Sequence, residues 1–313
     1  MAVVDQKGRV EITLGPVLYN WSPQDWRDFY FRIADEAAID RVYLGEVVCS
    51  KRAPHFAPYL GDVIARLERA GKRVVLSTLV LIMTTREAAM VRDMAESGDW
   101  MVEANDVSAL AHLRGRAHVV GPFVNVYNEA TLRYLAQSGA CRVVVPAELA
   151  APALAAVVGA GQAEIEVQAF GRLPLAISAR CYHARVHGLA KDSCQYVCGR
   201  DADGMRVDTL DGEPFLAVNG VQTLSHAWCN LVGELGALAE IGVGAVRLWP
   251  QTIDMAAVAR IFRDVLDHAM AADEGMHRLE RLSPDIPFSN SFYYGREGAV
   301  YVGDEGQVAT TVR

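Results

Sequence analysis

The chain has 313 residues, 51% of them hydrophobic and 22% charged, and a formal net charge of −8. This is ordinary globular composition, enough for one large domain or two small ones. The acidic balance argues against affinity won by neutralising many phosphates, although it allows a small basic pocket on an acidic body. The longest apolar stretches, 74–83 and 149–161, are too short to span a bilayer. The N-terminus shows no basic region followed by an apolar one, so a cytoplasmic protein is expected.

A β-branched run at 10–17 predicts the first strand. Ser22 and Pro23 then supply an N-cap and a proline at the first helical position, opening an amphipathic helix to about 39. A strand at 41–45 leads into a helix at 56–70, closed by Gly71. Strand 74–83 is followed by a helix from Thr85 to about 97. Further on come a strand at 100–103, a helix at 107–113, a strand at 118–126 and a helix from Asn128 to near Gly139. Strand 141–146 precedes an Ala-rich helix at 152–158, and 165–169 is the seventh strand. The eighth, 245–249, precedes a long helix at 255–271. Regular βα alternation predicts a parallel sheet, and eight units predict a closed (β/α)8 TIM-like barrel. An open doubly wound sheet is the alternative, but no G-x-G-x-x-G turn follows any strand.

The rhythm breaks between about 173 and 236. Asp203-Gly204, Asp211-Gly212 and Asn219-Gly220 punctuate short β-prone runs there, which predicts a small β-meander inserted after strand seven. Insertions at C-terminal strand ends of barrels are where function concentrates. Residues 1–275 are thus expected to form the barrel with its insertion, and 276–313 an extended arm packed across it.

Six cysteines in a cytosolic chain point to metal or redox chemistry before disulfides. Cys181, Cys194 and Cys198 form C-x12-C-x3-C within the insertion, and Cys49 lies just past strand two. In a barrel these all lie beyond C-terminal strand ends, so four thiolates can converge on a [4Fe–4S] cluster, which tolerates irregular spacing. Buried core cysteines and a four-sulfur zinc site are the rival readings. Zinc sites usually pair their ligands in two tight knuckles, and only Cys194 and Cys198 are tightly spaced. The C-x3-C-x2-C pattern of radical enzymes is absent after Cys198. Cys141, opening strand six, and Cys229, expected in a helix after the meander, read as core residues. His183 and His187 have helical i, i+4 spacing and could share a face to ligate a metal, but hydrogen-bonded or exposed histidines are the plainer reading of that pair.

The runs 42–52 (VYLGEVVCSKR) and 175–182 (LAISARCY), the cysteine spacing after them, and the segments 242–251 (GVGAVRLWPQ) and 287–295 (PFSNSFYYG) resemble the so-called peptidase U32 family. The resemblance covers nearly the whole chain. Within the family it is strongest to the UbiV-like accessory factors of O2-independent ubiquinone biosynthesis. It implies a [4Fe–4S] cluster on Cys49, Cys181, Cys194 and Cys198. It further implies a heterodimer with a UbiU-like U32 paralogue, a UbiT-like lipid-binding accessory protein, and prephenate or a similar small anion as oxygen donor in ring hydroxylation. The alternatives are a non-catalytic iron–sulfur scaffold subunit and a U32-type RNA base hydroxylase. A protease is not expected, because no nucleophile with an orienting His and Asp can be assembled.

A dianionic donor needs cationic partners, and the planar fork of arginine suits carboxylates. Arg247 in strand eight and Arg180 beside Cys181 are the candidates, with Glu46 and Gln251 at strand ends. All four are expected at the barrel mouth. The competing expectation for Arg247 is an ion pair inside the barrel.

Overall fold

A computed structural model describes residues 9–303 and 308–309. In chain order it has β1 (Glu11–Leu14), α1 (Pro23–Glu36), β2 (Arg41–Leu44), α2 (Ala53–Arg69), β3 (Arg73–Ser77), α3 (Thr85–Ser97), β4 (Met101–Ala104), α4 (Val107–Leu113) and β5 (His118–Val120). There follow α5 (Glu129–Gln137), β6 (Ala140–Val144), α6 (Ala151–Gly159), β7 (Glu164–Ile177), α7 (Tyr182–Val186), β8 (Met205–Asp208), β9 (Pro214–Asn219) and β10 (Gln222–Asn230). The chain continues through α8 (Leu235–Glu240), β11 (Ala245–Leu248), α9 (Met255–Leu266), α10 (Ala272–Leu282) and β12 (Phe288–Ser289). No helix among the described residues is long and apolar enough to cross a membrane.

Strands β1 to β7 pair in sequence order, all parallel, and β11 pairs with both β7 and β1. The ring is therefore closed, an eight-stranded parallel α/β barrel of TIM type. Local signals start α1 and α3 where the sequence places them, while α2 begins three residues earlier than expected, without a side-chain cap. The Ser22 side chain accepts from Asp25 N at 3.1 Å, and Thr84 and Glu87 form a reciprocal capping box.

Side chains alternate across each strand. Ile12, Leu14, Val42, Leu44, Val143, Ile165, Val246 and Leu248 belong to the large apolar core that includes the helices. Their neighbours fill the inside of the barrel, where Tyr43, Val75, Val119 and Val144 form a small apolar cluster. Next to it lies a buried ionic network. Arg247 contacts Glu166 at 2.6 Å and Glu103 at 2.7 Å, and Arg142 reaches Glu166 at 3.1 Å and Glu11 at 2.8 Å. Hydroxyls of Thr13, Tyr43 and Ser77 donate to Glu166 and Glu103.

The insertion departs from the sequence expectation in one respect. The seventh strand does not stop near 169 but runs to Ile177. Its first half pairs with β11 in the ring, and its second half pairs antiparallel with β10, so the β8–β9–β10 meander grows directly from a barrel strand. The switch of partner falls at Gly171, whose φ of +99° few side chains adopt and where an added Cβ would lie 2.9 Å from Trp249 Cβ.

Three further expectations are corrected. Cys229 lies in β10, not in a helix; it is buried, as expected of a core residue. Cys141 is exposed: it shares a face of β6 with the buried Val143 but lies near the start of the strand, where that face is left uncovered. The predicted helix at 255–271 is two helices. His268, at φ +57°, and the bond from Ala269 N to Asp264 O close α9 in a left-handed cap, which needs no glycine here. α10 then covers 272–282, so the first residues expected in the extended arm are helical. The chain after it packs against the barrel through β12, paired with β10, and through Ala151 N donating to Tyr293 O at 2.8 Å. Residues 304–307 and 310–313 of that arm lie outside the described residues.

Candidate metal centre

Cys49 sits in the turn after β2, which a carboxylate shapes. Glu46 Oε1 accepts from the backbone N–H groups of Val48 and Cys49, both at 2.8 Å. Burial raises the Glu46 carboxyl above the ordinary range, and nearby Arg52 opposes this. Cys181 caps α7, with its sulfur accepting from Ala184 N at 3.4 Å. Cys194 and Cys198 flank a tight loop in which Gln195 and Tyr196 both take left-handed conformations, φ +50° and +54°. Two adjacent strained residues without glycine need surrounding constraint to persist.

These four cysteines line one cavity of about 360 Å³, together with Lys51, Arg52, Lys191 and Gly220. Arg52 is almost fully buried and ties the cavity walls together. It donates to Leu18 O at 3.1 Å and to Asn219 Oδ1 at 2.6 Å. Asn219 in turn donates to the carbonyls of Cys198 and Asp201. Arg52 Nε has no hydrogen-bond partner, while Glu46, Cys198 and Cys49 all lie close enough to act on the guanidinium. Lys51 Nζ donates to Lys191 O at 2.7 Å, linking the Cys49 turn to the segment before Cys194. Gly220, at φ +70°, leaves room for Arg52: a Cβ there would meet Nη2 at 2.5 Å.

Burial pushes the Cys49 thiol up, with Arg52 opposing and Glu46 reinforcing, and burial likewise raises Cys181. As free thiols these two are protonated at neutral pH, and ligation to a metal is what holds such groups as thiolates.

The donor set distinguishes between metals. Four sulfurs around a single zinc lie roughly 3.8 Å apart, from a Zn–S bond of about 2.3 Å in a tetrahedron. Among the described residues no three of these sulfurs lie within 4.8 Å of one another. A cubane gives each thiolate its own iron and so takes a wider set. The orphaned Nε of Arg52 and the two lysines complement the negative charge of such a group. Four thiols, wide spacing and a buried cation fit an iron–sulfur cluster better than one ion.

Peptidase family U32 matches residues 29–302. The chain belongs to peptidase family U32. Among solved structures it is similar to the U32 peptidase Mk0906, at 13% identity and a TM-score of 0.44, over 80% of this chain and 97% of the other. It is also similar to dihydropteroate synthase from Thermus thermophilus (14%, TM-score 0.42, 83% and 93% covered). The tryptophan synthase complex from Pyrococcus furiosus is another (12%, TM-score 0.40, 87% and 98% covered).

In this U32 chain, Glu46 is the one of the other residues named from sequence that is built into the cysteine site, through the Cys49 turn; Arg247, Gln251 and Arg180 do not gather with it. Arg247 lies inside the barrel, fully buried, with its guanidinium 3.9 Å from the Tyr43 ring centre and its charge met by Glu103 and Glu166. It is not at the mouth, and the ion-pair expectation describes it. Gln251 is buried and accepts from Tyr19 OH at 3.2 Å. Arg180 is exposed beside Cys181. A second cavity, about 410 Å³, lies between the ends of β6 and β7 and the C-terminal segment; Cys229 alone of the cysteines lines it. Its walls are mostly apolar, so it offers no metal chemistry. Sequence reasoning missed Arg52 and Asn219. Arg52 stands three residues after Cys49, but only the fold shows that it points at the other cysteines.

Proposed function

We propose that Cys49, Cys181, Cys194 and Cys198 hold one [4Fe–4S] cluster, and that this U32 protein serves O2-independent ring hydroxylation in ubiquinone biosynthesis. The observation that carries the cluster is the convergence of Cys49 with the three thiols of the insertion on one cavity beside a buried arginine. The motif resemblance to UbiV-like factors supports the biosynthetic part. In this reading the chain pairs with a UbiU-like paralogue. A UbiT-like protein presents the apolar precursor, and prephenate or a similar small anion donates oxygen.

A bound cluster supplies one-electron chemistry. The chain's own residues prepare its site. Arg52, itself almost fully buried, would offset thiolate charge there. Glu46 fixes the turn that presents Cys49, and Lys51 holds the Cys194 segment against it. For the donor, Arg180 is the candidate cation beside the site, because Arg247 is already neutralised.

Anaerobic purification, iron and sulfide analysis and an absorption spectrum test the ligands. Wild type should carry about four irons and four sulfides per chain, and each of the four Cys→Ala variants should lose them. Zinc in their place, or a cluster indifferent to Cys49, refutes the assignment. For the pathway, a deletion strain grown without O2 should regain ubiquinone with wild type and not with Cys181→Ala. Equal quinone in both would remove the cluster from the function.

A further inference from the structure

The cysteine-bearing segment, 178–201, holds a second set of ligands that the cluster does not use. His183 on α7, His187 at its end and Asp201 beyond Cys198 bring their ligand atoms within 4.8 Å of one another, the one such group among the described residues. None of the three lines the cysteine cavity. His183 is fully buried, with Nδ1 3.3 Å from the Val218 carbonyl oxygen and Nε2 2.9 Å from Asp201 Oδ2. A carbonyl can only accept, so Nδ1 carries a proton and Nε2 is the atom left to face the carboxylate. In a neutral ring this sets one lone pair against another. A cation between them turns the opposition into two bonds, and an imidazole held through its other nitrogen by a backbone carbonyl is the usual support of a metal-ligating histidine. His187 is exposed, its ring stacked on His183 with centroids 5.7 Å apart, and supplies a third donor from the solvent side.

We propose that His183, His187 and Asp201 form a binding site for a divalent transition cation of the zinc type, distinct from the cysteine site. Two imidazoles and one carboxylate suit such an ion, and three protein ligands leave a position for water or a small ligand. The segment has reason to need it. From 178 to 201 only His183, Ala184, Val197 and Cys198 are buried, so it has almost no core of its own. An ion joining α7 to Asp201 ties the start of the segment to its end. The site stands on its own geometry and does not depend on the proposed pathway.

The test uses the full chain, purified anaerobically, treated with EDTA and titrated with Zn²⁺, with zinc and iron measured together. Wild type should take up about one zinc per chain beyond its iron. His187→Gln and Asp201→Asn should each bind zinc about tenfold or more weakly, with iron unchanged. Zinc should also raise the melting temperature of wild type and not of the variants. Equal zinc binding in wild type and variants, or none in wild type, overturns the site and leaves His183 and Asp201 as a simple ion pair. Zinc that disappears in the Cys→Ala variants instead belongs to the cysteines and also overturns it. His187 is exposed, so its variant decides the matter should Asp201→Asn fail to fold.

Discussion

Glu166 has no accessible surface and shares its two oxygens among Arg247, Arg142, Thr13 and Tyr43. Burial alone would raise its carboxyl, but Arg247 and Arg142 reverse that and hold it down to about 2. Breaking such a network by removing one partner leaves buried charge uncompensated. Glu166→Gln should therefore cost about 3–5 kcal/mol in urea unfolding. The pH dependence has a definite sign. The folded pKa lies below the ordinary 4.5, so this contribution is complete above that pH and is lost as pH falls through about 2. Urea titrations between those limits should show wild type losing stability more steeply than Glu166→Gln, and parallel curves would refute the coupling. Arg52 is the corresponding residue at the cysteine cavity. Arg52→Lys keeps the charge but not the fork that reaches Leu18 O and Asn219 Oδ1 together. It should lose about 1.5–3 kcal/mol of stability and retain less iron after anaerobic gel filtration. Wild-type iron content in that variant would show that the buried cation does not serve the cluster site.

Strand β7 is the element on which the insertion depends. It leaves the ring at Gly171 and carries the chain outward to pair with β10. Gly171→Ala would place a side chain in a left-handed conformation against Trp249. A loss of about 1–3 kcal/mol is expected by chemical denaturation, and an unchanged midpoint would show that the bend relaxes. Elements whose ends carry local chemistry are readable from sequence: Ser22 with Pro23, and the Asp-Gly and Asn-Gly turns of the meander, act through their nearest neighbours. The end of α9 was not readable. Its cap uses His268, and nothing in that run of residues marks a stop as glycine or proline would. Cys229 was misplaced for a related reason. Its strand is set by pairing with β7 and with β12, both far along the chain.

At the scale of the molecule, a packed barrel carries a segment that is barely packed. The eight-stranded ring is closed and its helices share one large apolar core. The stretch 178–201 buries only four side chains, and the loops joining its cysteines have no strand pairing among themselves. Stability should then be divided. On the proposed cluster assignment, removing iron should lower hydrogen-exchange protection in 178–201 by roughly tenfold or more and leave the barrel strands unchanged. Uniform loss across the chain would show that barrel and segment unfold as one unit.

Sequence alone determined the βα order, the number of ring strands, the place of the insertion and the four cysteines to be watched. These rest on periodicity, capping and turn chemistry, which operate over a few residues. Only the tertiary structure decided what each polar side chain faces. Arg247 read equally well as a donor-binding residue or an interior ion pair until closure of the ring set it between Glu103 and Glu166. Cys49 and Cys181 share a cavity because the ends of β2 and the extended β7 lie at the same end of the barrel. Arg52 lines the same cavity because its acceptors, Leu18 O and Asn219 Oδ1, lie there. Such partners are separated by scores of residues, and their meeting is a property of the closed barrel rather than of any local stretch of chain.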